Sequence, residues 1–436
     1  MHRPDLELIL LADAPEALIE VCGITLLERL LRTAQRLNFP RALVISATPE
    51  VIKGELATPS WPRDKIVVDI VGRPAGPITP EMLPGMSGST GVTRWLVVPA
   101  ALYCDARLLA TLAGKSSPSV LIDSQPPDTA RPLLERAAQT TKGKLCGPTL
   151  LTRDFLTTLA PATPLFDQLR ERLDSGTAEV VDAATEPDYI VSMRRYLRPL
   201  CFPAPSRDQL KLAERIVLNT AQKGTLDLPA YAHGIIETWI IARLCKTRVS
   251  PNQITLAGFA IGGSATIAFA TGHVGIGIIL ALIFGVVDGL DGKQARVKVE
   301  MTERGEWEHK LDYAIENSWW AAIAFHLWRS HQLPSAFYFF WLLVGAHLLD
   351  ALVKQRAKKL TGRLMDDVGP LDRAFRLIGA RRNIYVWVLA LGICLGHLAQ
   401  TYVAICWWAV ITLLFHLLRF AWIGKTAGGR LLDLRR

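Results

Sequence analysis

Six long apolar runs in the C-terminal part of the chain constrain its fold more than any other feature. They lie at 253–271, 274–287, 313–328, 335–353, 384–398 and 401–423. A helix needs about 20 mostly apolar residues to cross a bilayer, and these runs approach that length. Half of the 436 residues are hydrophobic (50%), which indicates more apolar surface than one soluble domain buries. We therefore predict an all-α membrane domain of about six transmembrane helices at residues 250–436.

The basic residues support this segmentation. Lys and Arg cluster before the first run, after the second, after the fourth and after the last, whereas the intervening turns hold only Arg329. This alternation follows the positive-inside rule. It predicts a protein integral to the cytoplasmic membrane, with its N-terminal domain and active site on the cytosolic side. The net charge of +9 is then explained by topology and by contact with anionic lipid, which leaves no reason to expect nucleic-acid binding.

The first half has a different pattern, in which short apolar runs alternate with an amphipathic stretch and with loops. Strands are predicted at 6–11, 41–45, 66–71 and 94–98, a helix at 24–36, and a loop rich in Pro and Gly at 72–91. Alternating strands and helices favour a parallel sheet covered by helices. We predict an α/β, Rossmann-like cytosolic domain at residues 1–205.

Two further features concern the compartment and the connection between the halves. Seven cysteines without a CxxC pair, and an N-terminus without a cleavage site for a signal peptide, predict a reducing compartment. Residues 206–249 hold two amphipathic stretches, 208–222 and 231–244, which we predict to be juxtamembrane interfacial helices.

The chemistry is concentrated at the inner end of the second apolar run. Asp288 and Asp291 lie three residues apart, and therefore on one face of a helix. Carboxylates in a membrane segment are costly unless they face an interior site, and Mg²⁺ prefers such oxygen ligands. Gly289 and Gly292 have no side chain that would hinder the approach of a nucleotide. This segment predicts a metal site next to a nucleotide phosphate.

The same segment resembles the signature of the CDP-alcohol phosphotransferase family, D-x2-D-G-x2-A-R followed after eight or nine residues by G-x3-D-x3-D. Asp288, Asp291 and Gly292 match the first part, and so do Ala295 and Arg296, with Gly305 eight residues further on. The resemblance covers roughly residues 210–425. It implies a membrane transferase that uses a CDP-alcohol donor, two Mg²⁺ or Mn²⁺ ions and an alcohol or phospho-alcohol acceptor, and that forms a homodimer.

The resemblance also implies residue roles. Asn252 and Thr255, at the entry to the first span, would line the nucleotide site together with Gly289, Gly292, Ala295 and Arg296. Arg296 is equally explained as a cytosolic topology charge. Arg381 and Arg382, before the fifth span, would hold the phosphate of the acceptor, although the positive-inside rule accounts for them equally well. Asp350, Asp366 and Asp367 are too scattered to indicate a role.

The second half of the signature departs from the family. Its two aspartates would fall at 309 and 313, where this chain has His309 and Tyr313. Glu308, Asp312 and Glu316 lie nearby at helical spacing. A shift by one residue gives the two roles to Glu308 and Asp312, whereas a slide by one turn gives them to Asp312 and Glu316. Asp312, Glu308 and His309 are therefore candidate metal ligands, and Asp312, Glu316 and Glu308 are candidates for the carboxylate that takes the acceptor proton.

The first half resembles the nucleotidyltransferase fold, and the two halves together resemble the fused inositol-phosphate cytidylyltransferase and CDP-inositol transferase. Strand 8–11 followed by 19–29, and the closing segment 181–188, carry this likeness. The phosphate loop, however, is replaced by the acidic, glycine-free segment 12–18, and 98–101 lacks the expected metal-binding Asp. We predict an inactive nucleotidyltransferase-like domain, in which Asp105 and Asp182 are the possible surviving acids, with surface placement the favoured interpretation.

Three functions remain open from the sequence. The favoured one is a metal-dependent transferase that releases CMP. The second is an inactive membrane scaffold, favoured by His309 and Tyr313. The third is an N-terminal domain that still makes a CDP-alcohol from CTP.

Overall fold

The computed structural model describes residues 5–83, 91–224, 227–300 and 305–433, with backbone only for 305–310 and 426–433. It contains two compact units. The first unit comprises Met1–Ala221, Ala242–Arg248 and Arg296–Glu300. The second unit comprises Gln222–Ile241, Val249–Ala295 and Met301–Arg436. The domain boundary at residue 205 stays a prediction.

The first unit is an α/β fold. Its strands are β1 Leu6–Leu11, β2 Glu20–Val21, β3 Ile24–Thr25, β4 Arg41–Ser46, β5 Val67–Gly72, β6 Arg94–Pro99, β7 Leu102–Cys104, β8 Ser119–Asp123, β9 Gln139–Thr140, β10 Gly143–Thr152, β11 Glu179–Asp182, β12 Tyr189–Ile190, β13 Arg195–Tyr196 and β14 Cys201–Pro203. Its helices are α1 Leu26–Arg36, α2 Pro49–Leu56, α3 Ala106–Gly114, α4 Arg153–Thr157, α5 Leu165–Asp174 and α6 Leu210–Thr220.

The main sheet has the strand order β11-β8-β10-β6-β1-β4-β5, with β9 paired to β10. All the predicted strands and the predicted helix α1 are present, so these predictions are confirmed. The prediction of a parallel sheet is wrong in one respect, because β10 runs antiparallel to both β6 and β8. The connection from β8 to β10 contains no long helix in which the chain could cross over the sheet, and such a connection returns the chain antiparallel.

The sheet is covered on both faces, which explains why its central strands are almost continuously apolar. Leu8 and Leu10 of β1 belong to one core, in which Leu27 and Leu30 of α1 are also buried. Ile9 of β1 belongs to a second core on the other face. The sheet is therefore the framework that fixes α1.

The two predicted amphipathic helices differ in their surroundings. In α6, Ala213, Ile216 and Val217 are buried within the first unit, so this face contacts protein. Helix α7, Pro229–Leu244, instead exposes Ile235 and Trp239. The interfacial role therefore stays a prediction, with structural support for α7 alone.

The second unit is helical. After α7 it contains α8 Pro251–Ala270, α9 Val274–Lys298, α10 Gly305–Arg329, α11 Ala336–Thr361, α12 Pro370–Arg376, α13 Arg382–Cys394 and α14 Leu398–Asp433. The last turns of α7 and α9 belong to the first unit. Trp319 and Trp320 of α10 are buried in the helical core, where Trp319 packs edge-on against Phe284 of α9. This packing fixes α10 against α9.

Four of these helices are long and apolar enough to cross a bilayer within the described residues. They are Pro251–Ala270, Val274–Lys298, Ala336–Thr361 and Leu398–Lys425. The chain is thus an integral membrane protein by composition, but the count of six spans is not confirmed. Helix α13 has only 13 residues and spans about 20 Å, and the first half of α10 is rich in charged residues.

Candidate functional site

The first carboxylate, Asp291, is held by the start of α8. Ser250 caps this helix, since its hydroxyl accepts from the Gln253 amide at 3.3 Å and the Gln253 side chain accepts from the Ser250 amide at 2.9 Å. Pro251 follows at the first helical position, where a missing amide hydrogen costs nothing. This start places Thr255 opposite α9, and its hydroxyl donates to Asp291 Oδ2 at 2.7 Å. Thr255 therefore orients Asp291.

The second carboxylate, Asp288, is paired with the first residue of α13. Arg382 Nη2 lies 2.6 Å from Asp288 Oδ2, and its guanidinium lies 4.8 Å from the centre of the Phe284 ring. The Arg382 side chain is only 13% exposed, so the pair is largely shielded from water. Charge-assisted bonds of this kind are stronger than neutral ones.

The third carboxylate comes from α10. Asp312 lies close enough to Asp288 and Asp291 for the charges of the three carboxylates to interact. Residues Asp288, Asp291 and Asp312 are called the carboxylate cluster below. The side chains of Glu308 and His309 lie outside the described residues, so the one-residue shift and the one-turn slide both stay open. Asp312 belongs to the predicted pair in either case.

A group of three His, Cys, Asp or Glu side chains arranged to hold a metal ion is absent among the described residues. Yet Mg²⁺ is often held by only one or two carboxylates together with substrate phosphates. Asp288 and Asp291, which lie one turn apart on α9, provide such a pair of carboxylates, with Asp312 of α10 nearby.

Next to the carboxylate cluster is a cavity of about 390 Å³ in the second unit. It is lined by Asp227, Asp288, Tyr313, Glu316, His347, Asp350, Ala351, Lys354, Ala380, Arg381, Arg382 and Asn383. Its wall carries both signs of charge, with acids from α9, α10 and α11 and bases from α11 and the start of α13. The cavity therefore suits a polar or charged ligand.

Most charged groups of this cavity have partners. Arg381 Nη2 lies 2.8 Å from Asp366 Oδ2. Asp350 is bound by both Lys354 Nζ at 2.7 Å and His416 Nδ1 at 2.5 Å. Glu316 differs, because it takes part in no hydrogen bond or ion pair with another residue that the structure describes.

Sequence reasoning missed the contribution of α11. His347, Asp350 and Lys354 all line the cavity, and His347 Nε2 lies 3.1 Å from the Tyr385 hydroxyl. Their spacing of three and then four residues places them on one helical face. That spacing of polar residues in an apolar run could have identified this face of α11 from the sequence. It also places Asp350, to which the sequence analysis gave no role, in the cavity wall.

The residues that were predicted to bind the nucleotide have different surroundings in the structure. Thr255 contacts Asp291, whereas Asn252 is exposed. Arg296 belongs to the first unit, where its Nε donates to the Ala221 carbonyl at 2.7 Å. The Glu237 carboxylate of α7 lies against Gly289, in the space that a Cβ atom would occupy. Gly292 and Ala295 are half-buried.

Lys293 joins α9 both to α7 and to the segment that precedes α7. The fully buried Lys293 donates to Thr238 Oγ1 at 2.5 Å and also to Gln222 Oε1. Together with the contact of Glu237 at Gly289, these bonds are made within the second unit. They fix the helix that carries Asp288 and Asp291.

In the first unit, the segment in place of a phosphate loop is bonded to residues that follow β4 and β5. Asp13 accepts from the Ala47 amide at 2.7 Å and forms an ion pair with Arg73, whose side chain is 7% exposed. Asp105 caps α3 and pairs with Arg107 at 2.8 Å. Asp182 accepts from the Ser124 amide at 3.1 Å. These acids have structural partners.

One further acid of this unit was not singled out by the sequence. Asp123, at the end of β8, is fully buried, and Arg198 lies 2.5 Å from one of its oxygens. Burial raises the pKa of Asp123 above its usual value, while the Arg198 charge opposes that shift. This ion pair joins β8 to the segment before β14.

Comparison with known proteins agrees with the chemistry of the second unit. Residues 248–415 match the profile of the family described as CDP-alcohol phosphatidyltransferase. This range contains the carboxylate cluster and all the cavity residues named above except Asp227.

Two curated relatives carry the name bifunctional IPC transferase and DIPP synthase. The one from Aquifex aeolicus is 26% identical over 231 residues, covering 51% of this chain and 50% of the relative. The one from Rubrobacter xylanophilus is 32% identical over 190 residues, covering 43% of this chain and 41% of the relative. The chain thus spans half or less of the length of these relatives in the matched regions.

Two solved structures resemble the N-terminal part. One, from Bacillus anthracis, is assigned as a glucose-1-phosphate thymidylyltransferase; its TM-score is 0.36 at 11% identity, and the match covers 48% of this chain and 94% of that one. The other is HddC from Yersinia pseudotuberculosis, with a TM-score of 0.34 at 12% identity. This match covers 48% of this chain and 98% of that one. These scores are low, and the α/β fold rests on the sheet described above. Residues 248–415 thus match a CDP-alcohol phosphatidyltransferase domain, and the carboxylate cluster lies inside the matched range.

Proposed function

We propose that this chain is a membrane transferase that moves a phospho-alcohol group from a CDP-alcohol to the hydroxyl of a second alcohol and releases CMP. The observation that carries the proposal is the convergence of Asp288, Asp291 and Asp312 beside a cavity with basic residues on its wall. Mutual repulsion between three neighbouring carboxylates destabilises the site when no ligand is bound. A bound cation with a diphosphate would offset this repulsion.

The carboxylate cluster would hold the divalent cofactor, Mg²⁺ or Mn²⁺, and two ions are the family expectation. When bound, the metal supplies positive charge that offsets the charge of the diphosphate and of the leaving CMP. Thr255 keeps one oxygen of Asp291 in a fixed direction through its 2.7 Å bond. Arg382 neutralises Asp288 and is close enough to move to a phosphate oxygen when the donor binds.

The acceptor is a phospho-alcohol in this proposal. Arg381, Arg382 and Lys354 line the same cavity, and each is at present paired with a carboxylate of the protein. A phosphate group could replace those carboxylates as the partner, and the fork of an arginine binds two phosphate oxygens at once. The names of the relatives concern those proteins, and the acceptor alcohol of this chain stays open.

Glu316 is the base in this proposal. Tyr313 replaces the last aspartate of the family signature, and Glu316 is the cavity acid without a hydrogen bond or ion pair among the described residues. Asp350 is a weaker candidate, because Lys354 and His416 both stabilise its charged form. Glu316 would take the proton of the acceptor hydroxyl while the oxygen of that hydroxyl attacks the β-phosphorus of the donor. The bond between the β-phosphorus and the oxygen of CMP breaks, and CMP leaves.

Four further features belong to the proposal. The positions of Lys and Arg support a cytosolic first unit and a cytosolic active site in the cytoplasmic membrane. A homodimer follows the family resemblance. Contact with membrane lipid is supported by exposed apolar side chains, such as Leu418 at 73% exposure. The first unit is inactive as a nucleotidyltransferase, since Asp13 and Arg73 close the loop that would receive the triphosphate.

The test is CMP release by the full chain in nanodiscs, from a panel of CDP-alcohols with inositol phosphate or glycerol phosphate as acceptor. We expect Mg²⁺-dependent release, with a loss of at least about a thousandfold in Asp291→Asn. Asp367→Asn is the matched control, because Asp367 is a helical-unit acid that does not line the cavity. Equal activity of wild type and Asp291→Asn would contradict the proposal.

The second candidate is a membrane scaffold without activity. His309 and Tyr313, in place of the two aspartates, favour it. It predicts that wild type releases no CMP with any donor of the panel and does not bind Mn²⁺ in an EPR titration.

A further inference from the structure

Two arginines of α1 are buried within the first unit although they carry charge. Arg29 is 4% exposed and Arg32 is 2% exposed. They lie three residues apart and therefore project from the same side of the helix. Burial lowers the pKa of the Arg29 guanidinium, so both cations need good hydrogen-bond partners.

Their partners are the last carbonyl groups of α9. Arg29 Nη1 donates to the Val297 carbonyl at 2.7 Å, and Arg32 Nη1 donates to the Lys298 carbonyl at 2.7 Å. Arg32 Nη1 also lies 2.5 Å from Glu300 Oε1. All these residues belong to the first unit, which includes Arg296–Glu300.

The second terminal nitrogen of each guanidinium, Nη2, bonds to residues of the α/β fold. Arg29 Nη2 donates to the Val21 carbonyl at 2.8 Å. Arg32 Nη2 donates to the Ser60 hydroxyl at 2.9 Å and pairs with Glu28. The planar fork of arginine thus joins the α/β sheet to the end of α9 with little freedom.

The carboxyl end of a helix is where such contacts matter. Its last four carbonyls have no partner within the helix, and its dipole makes this end negative. Two cations that donate to these carbonyls therefore prevent the last turn from fraying. Lys298 adds a third tie, because its Nζ donates to the Thr247 carbonyl at 2.7 Å.

We infer that Arg29 and Arg32 are positioning residues that clamp the carboxyl end of α9 and thereby fix the direction of Asp291 and Asp288, two to three turns upstream on the same helix. The clamp gives the α/β domain a role that needs no nucleotide chemistry. Its relevance to catalysis rests on the proposed transferase function, but the clamp itself does not.

The experiment uses the full chain in nanodiscs, with Arg29→Met, Arg32→Met and the double variant. Methionine keeps an apolar stem without leaving a buried charge. Arg153→Met is the matched control, since Arg153 of the same unit donates to the Val92 carbonyl at 2.6 Å, away from α9. Hydrogen exchange of amides 293–298 is the first measurement, Mn²⁺ affinity by EPR is the second, and CMP release is the third.

We expect the double variant to exchange the amides at 293–298 about tenfold faster or more, with each single variant in between. Its Mn²⁺ affinity should fall about tenfold, which is the smaller of the usual effects of replacing a residue that orients metal ligands without binding the metal itself. In CMP release, kcat should fall while KM for the donor changes less than about twofold. Arg29→Lys and Arg32→Lys, which keep a donor, should recover part of each effect.

Unchanged exchange at 293–298 in the double variant would overturn the clamp. So would an equal acceleration in Arg153→Met, because the effect would then be a general loss of stability. If wild type releases no CMP, the proposed function fails, whereas the exchange measurement still decides the clamp. If the double variant does not fold, the two single variants carry the same test.

Discussion

The end of β1 in the first unit and the inner end of α9 in the second unit both carry acids at a position where the fold could bind a nucleotide. At the first, Asp13 is bound by Arg73 and by the Ala47 amide. At the second, Asp312 faces Asp288, and Glu316 lies on a cavity wall without a hydrogen bond or ion pair among the described residues. One site is closed by the protein, and the other is open to a ligand.

This difference indicates which site still works. A polar group that the protein satisfies itself contributes to stability and needs no ligand. Acids that repel one another reduce stability, and such arrangements are found at functional sites, where a ligand compensates them. The difference supports the proposal that the first unit is a structural domain and that the active site lies in the second unit.

The largest effect should follow from removing the base. Glu316→Gln should lower kcat for CMP release by about 100-fold to 10,000-fold, the usual contribution of a positioned general base. Asp13→Asn, the corresponding change at the closed site, should alter kcat less than about twofold. Steady-state kinetics with saturating donor and acceptor measures both.

A Glu316→Gln enzyme with wild-type kcat would assign the proton transfer to another group. Glu308 would then be the next candidate, because the sequence pattern allows the one-residue shift. Equal losses in Glu316→Gln and Asp13→Asn would instead remove the distinction between an open and a closed site.

A smaller effect should follow from removing a cation of the cavity. Lys354→Met should raise KM for a phosphorylated acceptor about tenfold or more, the value of one hydrogen bond to a charged group. A non-phosphorylated acceptor should show little change, since it has no group for this cation. Lys358→Met is the control, because Lys358 lies one turn further along α11 and is exposed.

If KM rises equally for both acceptors, Lys354 supports the cavity wall rather than the phosphate. The ion pair of Lys354 with Asp350 makes that outcome a real alternative. Initial rates at varied acceptor and fixed donor separate the two cases.

The sequence predicted what depends on local patterns. The apolar run of β1, the apolar face of α1 and the spacing of Asp288 and Asp291 each follow from a few neighbouring residues. The antiparallel direction of β10 did not follow, because it depends on the connection from β8, which lacks a helix that would carry the chain across the sheet.

The cavity was harder to predict for the same reason. Arg382 and Asp288 are 94 positions apart and meet only after α9 and α13 have packed. Arg32 likewise meets Lys298 across 266 positions. Basic residues near a membrane are also explained by topology, and this explanation hid the helical spacing that places Lys354 on the same face as His347 and Asp350.

A modest effect on stability should follow from opening the closed site. Arg73→Met should lower the free energy of unfolding of the first unit by about 1–2 kcal/mol, because Arg73 is buried and also donates to two backbone carbonyls. Lys53→Met, which removes an exposed pair with Glu50, should cost less than about 0.5 kcal/mol. Hydrogen exchange of the β1 and β4 amides near the global limit measures both. An equal cost in the two variants would mean that Asp13 and Arg73 form an ordinary surface pair.

The last prediction is that CTP has no effect on the first unit. A nucleotide that bound the first unit at a concentration 100 times its Kd would stabilise it by about 2.7 kcal/mol and would protect the amides around the β1 loop. We expect no such protection at residues 12–18 and no pyrophosphate release from CTP with a phospho-alcohol, because the Asp13 carboxylate would repel a triphosphate and already holds Arg73 in an ion pair. Exchange must be followed at these residues, since CTP could also enter the cavity of the second unit through its cytidine phosphates. Protection at 12–18 together with pyrophosphate release would show that both units are enzymes, and the contrast between a closed and an open site would then hold only for the geometry, not for the function.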